Sequence, residues 1–477
     1  MTALLALALY LPRLDTPRGA VWDESYYVTA IQRQVDHRAQ FASHPPLGFL
    51  LSSIAPRLGS IRAADEGLAD RKTLAGETIP SGYDFARTRI GSALAGVLGA
   101  TTFFALMLAL TDRLVLALGL ANLFTFENAF LVQFRAAQLD SFLMLFSLLA
   151  LLAFTLSFRR LERARPGLDL AFGAAVGLAA MVKLIGVWLV LAGPLLLVAR
   201  LRAATRERSL VTTLIALSRS VVLMSAGFVG ATALVYAAQT ADAFRPPDPA
   251  TPAGARDQGF VSPAHGAWLA GQVPYSARVV AAAARDDLNY VLSDLHGVPR
   301  TDPNGSWPGE WPLMRRTIDY RWDGTSAKTR YVQLVGNPVG WGVGLIGLLV
   351  APLLVLRARS GPRRALALAL LLLWGWVMGL HVWLAQTRVM YLYHYFPALI
   401  LSWCLAALAC SEALERLPTR RAARTALGLT ALLHLAGFWF WSPMTFGREL
   451  SAAQCQARNT LIVQVHCRSS ITQHPKR

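Results

Sequence analysis

Two short stretches near the start of the chain hold residues able to do acid–base chemistry. Trp22-Asp23-Glu24-Ser25-Tyr26-Tyr27 sets two adjacent carboxylates among aromatics, and Ser43-His44-Pro45-Pro46-Leu47-Gly48 places a histidine beside a backbone fixed by two prolines. An acidic doublet in a loop is ordinarily just solvated. This one falls about ten residues after an apolar run, close to where a membrane surface would lie. A carboxylate held there with reduced water contact has a raised pKa and can take a proton from a hydroxyl. Asp23 and Glu24 are therefore the catalytic candidates.

Three further segments supply cations. In Gln133-Phe134-Arg135-Ala136-Ala137-Gln138-Leu139-Asp140-Ser141, Arg135 and Asp140 sit at a hydrocarbon boundary, where unpaired ions are costly. They read either as a structural ion pair or as an arginine that neutralises an anionic head group. Lys183 has no other lysine within a hundred residues on either side, and either snorkelling or a phosphate contact accounts for it. In Arg388-Val389-Met390-Tyr391-Leu392-Tyr393-His394-Tyr395, an interfacial aromatic belt explains the tyrosines but not Arg388 and His394. Arg135, Lys183 and Arg388, with His394 and His44, are expected on the same face as the acids. Such a set suits one chemical role, gripping the phosphate of a lipid-linked sugar while the acid deprotonates an incoming hydroxyl. The leaving phosphate needs charge stabilisation more than protonation, and one base with in-line attack inverts the anomeric centre. No Gly-rich phosphate loop, Cys/His zinc spacing or Gly-x-Ser-x-Gly occurs, so no metal ligand is assigned and a nucleotide-sugar donor is disfavoured.

The elements that must position these residues are membrane helices. Of 477 residues, 54% are hydrophobic and 16% charged, and the mean hydropathy is +0.41, too apolar for a soluble domain. Apolar runs predict eleven spans, near 2–11, 89–110, 114–131, 139–158, 168–183, 184–200, 211–238, 335–356, 365–385, 391–411 and 422–441. The net charge of +18 does not signal nucleic acid, because its distribution is that of topology determinants. The connections 159–165, 200–208, 357–364 and 416–424 carry +3, +3, +4 and +4, whereas the long loops 13–86 and 241–334 carry −1 and 0. Short Arg-rich loops stay cytoplasmic, which puts the N-terminus inside and both long loops outside, with anionic lipid contact a secondary role. The chain thus reads as one membrane domain, with outer loops at 13–86 and 241–334 and an outward tail at 442–477. Short interfacial helices are expected around 26–35 and 47–58, and Trp307, Trp311 and Trp322 read as interfacial anchors. Cys455 and Cys467 lie where a disulfide is permitted, and Cys404 and Cys410 read as packing residues.

Taken in order, these motifs resemble the protein O-mannosyltransferase family. The matching stretches are Trp22-Asp23-Glu24, His44-Pro45-Pro46-Leu47-Gly48, Arg135 with Leu139-Asp140-Ser141, Trp311-Pro312-Leu313, Gly336-Asn337-Pro338 and Tyr393-His394-Tyr395-Phe396-Pro397-Ala398-Leu399. The resemblance implies an all-α GT-C membrane bundle that transfers mannose from a dolichyl- or polyprenyl-phosphate to Ser/Thr hydroxyls of a polypeptide. Asp23 would be the base, Glu24 its assistant, and Arg135 a contact to the lipid phosphate; Asp140, Tyr393 and Trp311 would support the acceptor or the site. The chain departs from the family pattern at Phe49, where lysine is usual, and 241–334 is too short for the β-trefoil module of eukaryotic members. With its Leu/Ala/Arg-rich composition, this implies a bacterial-type member in an inner membrane, active on the periplasmic face. Two rivals stand beside this reading. A related GT-C enzyme would move another sugar, such as aminoarabinose, onto a glycolipid. A transporter or flippase would instead carry ionisable groups at mid-membrane depth.

Overall fold

The computed structural model describes residues 1–58, 79, 82–159, 161, 165–204, 209–297, 300–324, 328–416 and 420–467. Most of the outer-loop stretch 59–81, parts of three basic connections and the end of the tail lie outside the described residues. Eight helices among the described residues are long and apolar enough to cross a membrane: Phe85–Thr111, Asp140–Phe158, Leu184–Ala204, Leu210–Asp242, Pro338–Arg357, Gly361–Leu384, Leu392–Arg416 and Arg424–Thr445. The pair Leu114–Thr125 and Asn128–Phe134, bent by 58°, is together long and apolar enough to make a ninth, as a broken span or a re-entrant loop. The other two expected spans are helical but short. Thr2–Tyr10 has nine residues, about 14 Å at 1.5 Å per residue, and Pro166–Val182 has seventeen.

The bend has a local cause. The Glu127 carboxylate accepts from Ala129 N (3.2 Å) and from Asn337 N (2.8 Å), so it starts a second short helix and ties it to the next half of the bundle. Asn337 in turn caps the helix Pro338–Arg357 and donates to His434 O at 2.8 Å. Three other spans also begin on side-chain caps, with Asp84, Ser209 and Ser360 accepting from Arg87, Thr212 and Arg363.

The first outer loop folds into the helices Glu24–Val35 and Leu47–Arg57, close to the expected interfacial segments. Its far end is clamped to the bundle where Arg57 grips Asp242 through two bonds of 2.6 and 2.7 Å. The second loop carries the helices Pro252–Gln258, Pro263–Leu269 and Ala277–His296, and then a feature not foreseen from the sequence. Strands β1 (Ile318–Gly324), β2 (Thr329–Leu334) and β3 (Glu449–Leu450) form an antiparallel sheet in that order. The β1–β2 register slips between Asp319 and Arg321, a bulge beside Tyr320. Cys455 and Cys467 form a disulfide, and the tail residues beside it accept from Thr317 and Gln333 of the sheet.

At the opposite end of the bundle Arg200 meets Asp169 through two bonds of 2.8 and 2.9 Å and donates to Ser220, all three buried. Breaking one side of such a pair leaves an uncompensated buried charge. Arg200→Met is expected to lower the unfolding free energy by about 3–5 kcal/mol, and Asp169→Leu in the same chain to recover most of it. Thermal melting of the purified variants in detergent measures both.

Candidate active site

The acidic doublet divides into two residues with different fates. Glu24 is fully buried, and both its oxygens are used. Oε1 accepts from Arg89 Nε (2.7 Å) and Ala137 N (2.7 Å), while Oε2 accepts from Arg89 Nη2 (2.7 Å) and Val21 N (2.9 Å). Arg89, 2% exposed near the start of the helix Phe85–Thr111, spends its remaining donors on the carbonyls of Leu14, Pro17 and Gly19. Glu24 has no lone pair left to offer an acceptor, so the expected assisting role gives way to a positioning one. Asp23, one residue earlier, is the N-cap of the helix Glu24–Val35 and keeps partial exposure.

Around Asp23 the chain assembles an aromatic-walled chamber. Trp22, at φ +51°, stacks on Tyr320 (5.3 Å) and meets Tyr391 edge-on (5.2 Å). Tyr320, on the buried face of β1, belongs to this wall; its carbonyl accepts from Trp22 N at 3.2 Å and its hydroxyl donates to Gln133. Arg321 of the same strand donates to Ala20 O at 3.0 Å, holding the loop that carries Asp23. Tyr391, Tyr393, His394 and Trp311 continue the wall as successive stacked or tilted rings. Trp311 is sealed and donates to Ser306 at 2.8 Å, so it backs the wall from behind.

Charges enter this chamber in a definite pattern. Asp23 and Asp140 both lie within electrostatic reach of Tyr27 and Tyr320, and burial first, then these carboxylates, push both phenols well above the usual tyrosine range. Lys183 Nζ bonds both oxygens of Asp140 (2.9 and 3.0 Å), which also accepts from Gln133 at 2.7 Å. The Arg135–Asp140 ion pair envisaged from the sequence does not form: the lysine has that carboxylate. Arg388 has no carboxylate partner among the described residues, and its Nε is buried without a hydrogen-bond partner. It lies within electrostatic reach of Tyr27, His44 and His394. His44 stacks on Tyr27 (5.9 Å) and its Nε2 lies 3.2 Å from the Tyr27 hydroxyl. Loss of water contact, then Lys183 and Arg388, hold its imidazole well below the usual histidine pKa, hence neutral at pH 7. Gly48 explains the rest of that motif, since a Cβ there would stand 2.8 Å from Leu139, beside Asp140. Phe49, where a lysine was the expectation, packs against Tyr27.

Arg135 is the sequence candidate that the fold takes elsewhere. It donates to the carbonyls of Leu9, Tyr10, Pro12 and Arg13 and lies over the Phe446 ring. It thereby caps the first short helix, whose last carbonyls are otherwise orphaned. Its wall belongs to a separate cleft lined by Arg13, Arg330 and Arg448. Asp23, His44, Asp140, Lys183, Arg388, Tyr393 and His394 are brought together; Glu24 and Arg135 serve as scaffold. Sequence reasoning missed Arg89, Gln133 and Tyr320. Arg89 had a readable signal, an arginine inside the first turns of an apolar span.

Two outcomes follow from this division. Glu24→Ala strands a buried Arg89 and is expected to cost about 3–5 kcal/mol of stability, whereas Asp23→Asn leaves the melting midpoint unchanged. Because the folded state disfavours His44 protonation, stability is constant above the ordinary histidine pKa of about 6.5 and falls as pH drops below it. His44→Gln should flatten that fall in a melting series from pH 7 to 5.

Comparison with known proteins identifies the family and the fold. Residues 1–238 match the family described as dolichyl-phosphate-mannose-protein mannosyltransferase, and 289–462 match the C-terminal four-transmembrane region of protein-O-mannosyltransferase. Protein O-mannosyl-transferase 1 of Rattus norvegicus is 32% identical over 153 residues, which are 32% of this chain and 20% of the rat protein. Protein O-mannosyl-transferase 2 of Danio rerio is 22% identical over 170 residues, 31% of this chain and 22% of that protein. The matches thus span about a fifth of these relatives' length. The S. cerevisiae protein O-mannosyltransferase Pmt1-Pmt2 complex bound to the sugar donor superposes with a TM-score of 0.77 at 14% identity, covering 99% of this chain and 93% of that one. An Archaeoglobus fulgidus oligosaccharyltransferase in the apo form reaches 0.50 at 15% identity, covering 100% and 61%. The fold is a GT-C-type membrane bundle, and the chain belongs to the protein O-mannosyltransferase family.

Proposed function

We propose that this chain transfers mannose from a polyprenyl- or dolichyl-phosphate to the hydroxyl of a Ser or Thr in a polypeptide, at the membrane face carrying the two long loops. One observation carries the reading. A partly exposed carboxylate, Asp23, and a guanidinium without a carboxylate partner among the described residues, Arg388, both lie within electrostatic reach of Tyr27 beside one wall of aromatic rings. In the reaction, Asp23 takes the acceptor's proton while the hydroxyl oxygen attacks the anomeric carbon. The bond from that carbon to the phosphate oxygen breaks, and the lipid phosphate leaves with the electron pair toward Arg388. One displacement inverts the sugar. His44, neutral and bonded to Tyr27, orients rather than titrates, and the Lys183–Asp140 pair fixes the wall behind the phosphate. The basic connections favour this face as the non-cytoplasmic one, and the Leu/Ala/Arg-rich composition with the short loop 241–334 favours a bacterial inner membrane.

The family model supplies the donor class in its description, and the relatives' names supply a protein acceptor. Transfer from polyprenyl-phosphate mannose to a Ser/Thr peptide is the direct assay, run on purified enzyme with a panel of lipid-phosphate sugars beside it. Asp23→Asn should lower kcat by about 10²–10⁴ with an unchanged melting midpoint, as expected for loss of a general base. Arg388→Ala should weaken transfer at all donor concentrations, and proton NMR of the glycopeptide should show the anomer opposite to the donor's. Full activity in Asp23→Asn, or a retained anomer, overturns the mechanism.

A further inference from the structure

The end of the bundle away from the catalytic chamber holds a second feature that the proposed reaction does not use. The helix Phe85–Thr111 runs from Arg89, beside Glu24, to the turn at Asp112-Arg113, so Arg113 marks that opposite end. There the helices Leu114–Thr125, Pro338–Arg357, Phe396–Arg416 and Arg420–Thr445 enclose a cleft of about 700 Å³. Its walls are apolar, with Leu116, Leu120, Val343 and Ile346 among them. Arg113 and Arg424 stand at its mouth and His434 at its depth. The ten residues from Arg424 to His434 rise about 15 Å along one helix, half the thickness of a hydrocarbon core.

Two observations say what the cleft admits. The first is steric. Gly119 and Gly428 line it from different helices, and a Cβ at either would meet no protein atom within 4 Å. Elsewhere in this wall glycines have a packing reason: a Cβ at Gly347 would stand 2.5 Å from Ser402 O. Glycine inside a helix costs roughly 0.5–1 kcal/mol relative to alanine, and at Gly119 and Gly428 no close approach of protein offsets it. Their effect is to keep the slot wide. The second observation is electrostatic. Arg424 is exposed and has no carboxylate partner among the described residues, and Arg113 reaches Glu415 only at 3.8 Å. Glu415 is itself gripped by Arg363 through bonds of 2.6 and 2.7 Å, and Glu412 by Arg363 and Arg416. The mouth is therefore net positive at the level where lipid head groups lie. Basic pockets between membrane helices select anionic head groups.

We propose that this cleft binds one anionic glycerophospholipid, its phosphate between Arg113 and Arg424 and one acyl chain rising past Gly119 and Gly428. A zwitterionic head group would bring its own ammonium against two arginines. The site is separate from the donor chamber, so it stands whichever sugar the enzyme transfers.

Native mass spectrometry tests it on the whole purified protein, exchanged with equimolar phosphatidylglycerol and phosphatidylcholine of matched chains. The wild type should retain one phosphatidylglycerol with about tenfold preference, and that lipid alone should raise the melting midpoint by mass action. Arg424→Glu, at an exposed position, should abolish the preference. Gly428→Leu keeps every charge and should abolish retention by filling the slot; Gly119→Leu does the same from another wall should Gly428→Leu fold poorly. Equal retention of both lipids, or phosphatidylglycerol retention that survives Arg424→Glu and the filled slot, overturns the proposal.

Discussion

A buried ion pair between Glu24 and Arg89 is the constraint on which the catalytic end depends. Four elements meet at it: the helix Glu24–Val35, the span Phe85–Thr111, the loop carbonyls of Leu14, Pro17 and Gly19, and the backbone N–H of Ala137. An ion pair at such depth is tolerable only because every donor and acceptor in it is satisfied. Having paired Glu24 this way, the fold leaves its neighbour Asp23 partly exposed at the start of the helix Glu24–Val35. Adjacent carboxylates thus do opposite jobs. The buried one holds geometry, and the accessible one can exchange a proton.

The same logic sorts the cations. Arg135 is spent on the end of a nine-residue helix too short to span a membrane, and Lys183 is held by Asp140. Gln133 links that pair to Tyr320, and Tyr320 to Trp22, so a chain of contacts runs from the short helix Asn128–Phe134 to the loop beside Asp23. The small sheet matters for one residue above all. Tyr320 lies on the same buried face of β1 as Ile318, two residues earlier, and so meets the wall.

How much of this was legible in the sequence follows from the range of the interactions. Apolar runs are local signals, so eight or nine of the eleven expected spans could be read directly, and the ordered motifs carried the family. The partnerships could not. Glu24–Arg89 joins residues 65 apart and Gln133–Tyr320 residues 187 apart, and neither leaves a periodic trace. Arg135 misled for a physical reason: an arginine at a hydrocarbon boundary satisfies either a phosphate or a row of helix-end carbonyls, and sequence spacing does not distinguish them. The sheet was hidden because β3 is two residues long and lies more than a hundred residues from β2. The bend at Glu127 was hidden because one polar pair in an apolar run reads as a single span.

A single uncompensated guanidinium suits the proposed donor better than a cluster would. A sugar attached through phosphate to a lipid is a diester with one negative charge. Its leaving group is a monoester whose second ionisation lies near pH 6, so it carries between one and two charges at neutral pH. Charge therefore grows at the phosphate as the bond to the sugar breaks, and a fixed cation beside it gains more interaction in the transition state than in the bound donor. Each further free cation would also hold the more highly charged product phosphate more tightly than the donor, which slows release. With Lys183 tied to Asp140 and Arg135 to carbonyls, Arg388 is the one of these three cations without a carboxylate or carbonyl partner among the described residues, which suits it to the role proposed.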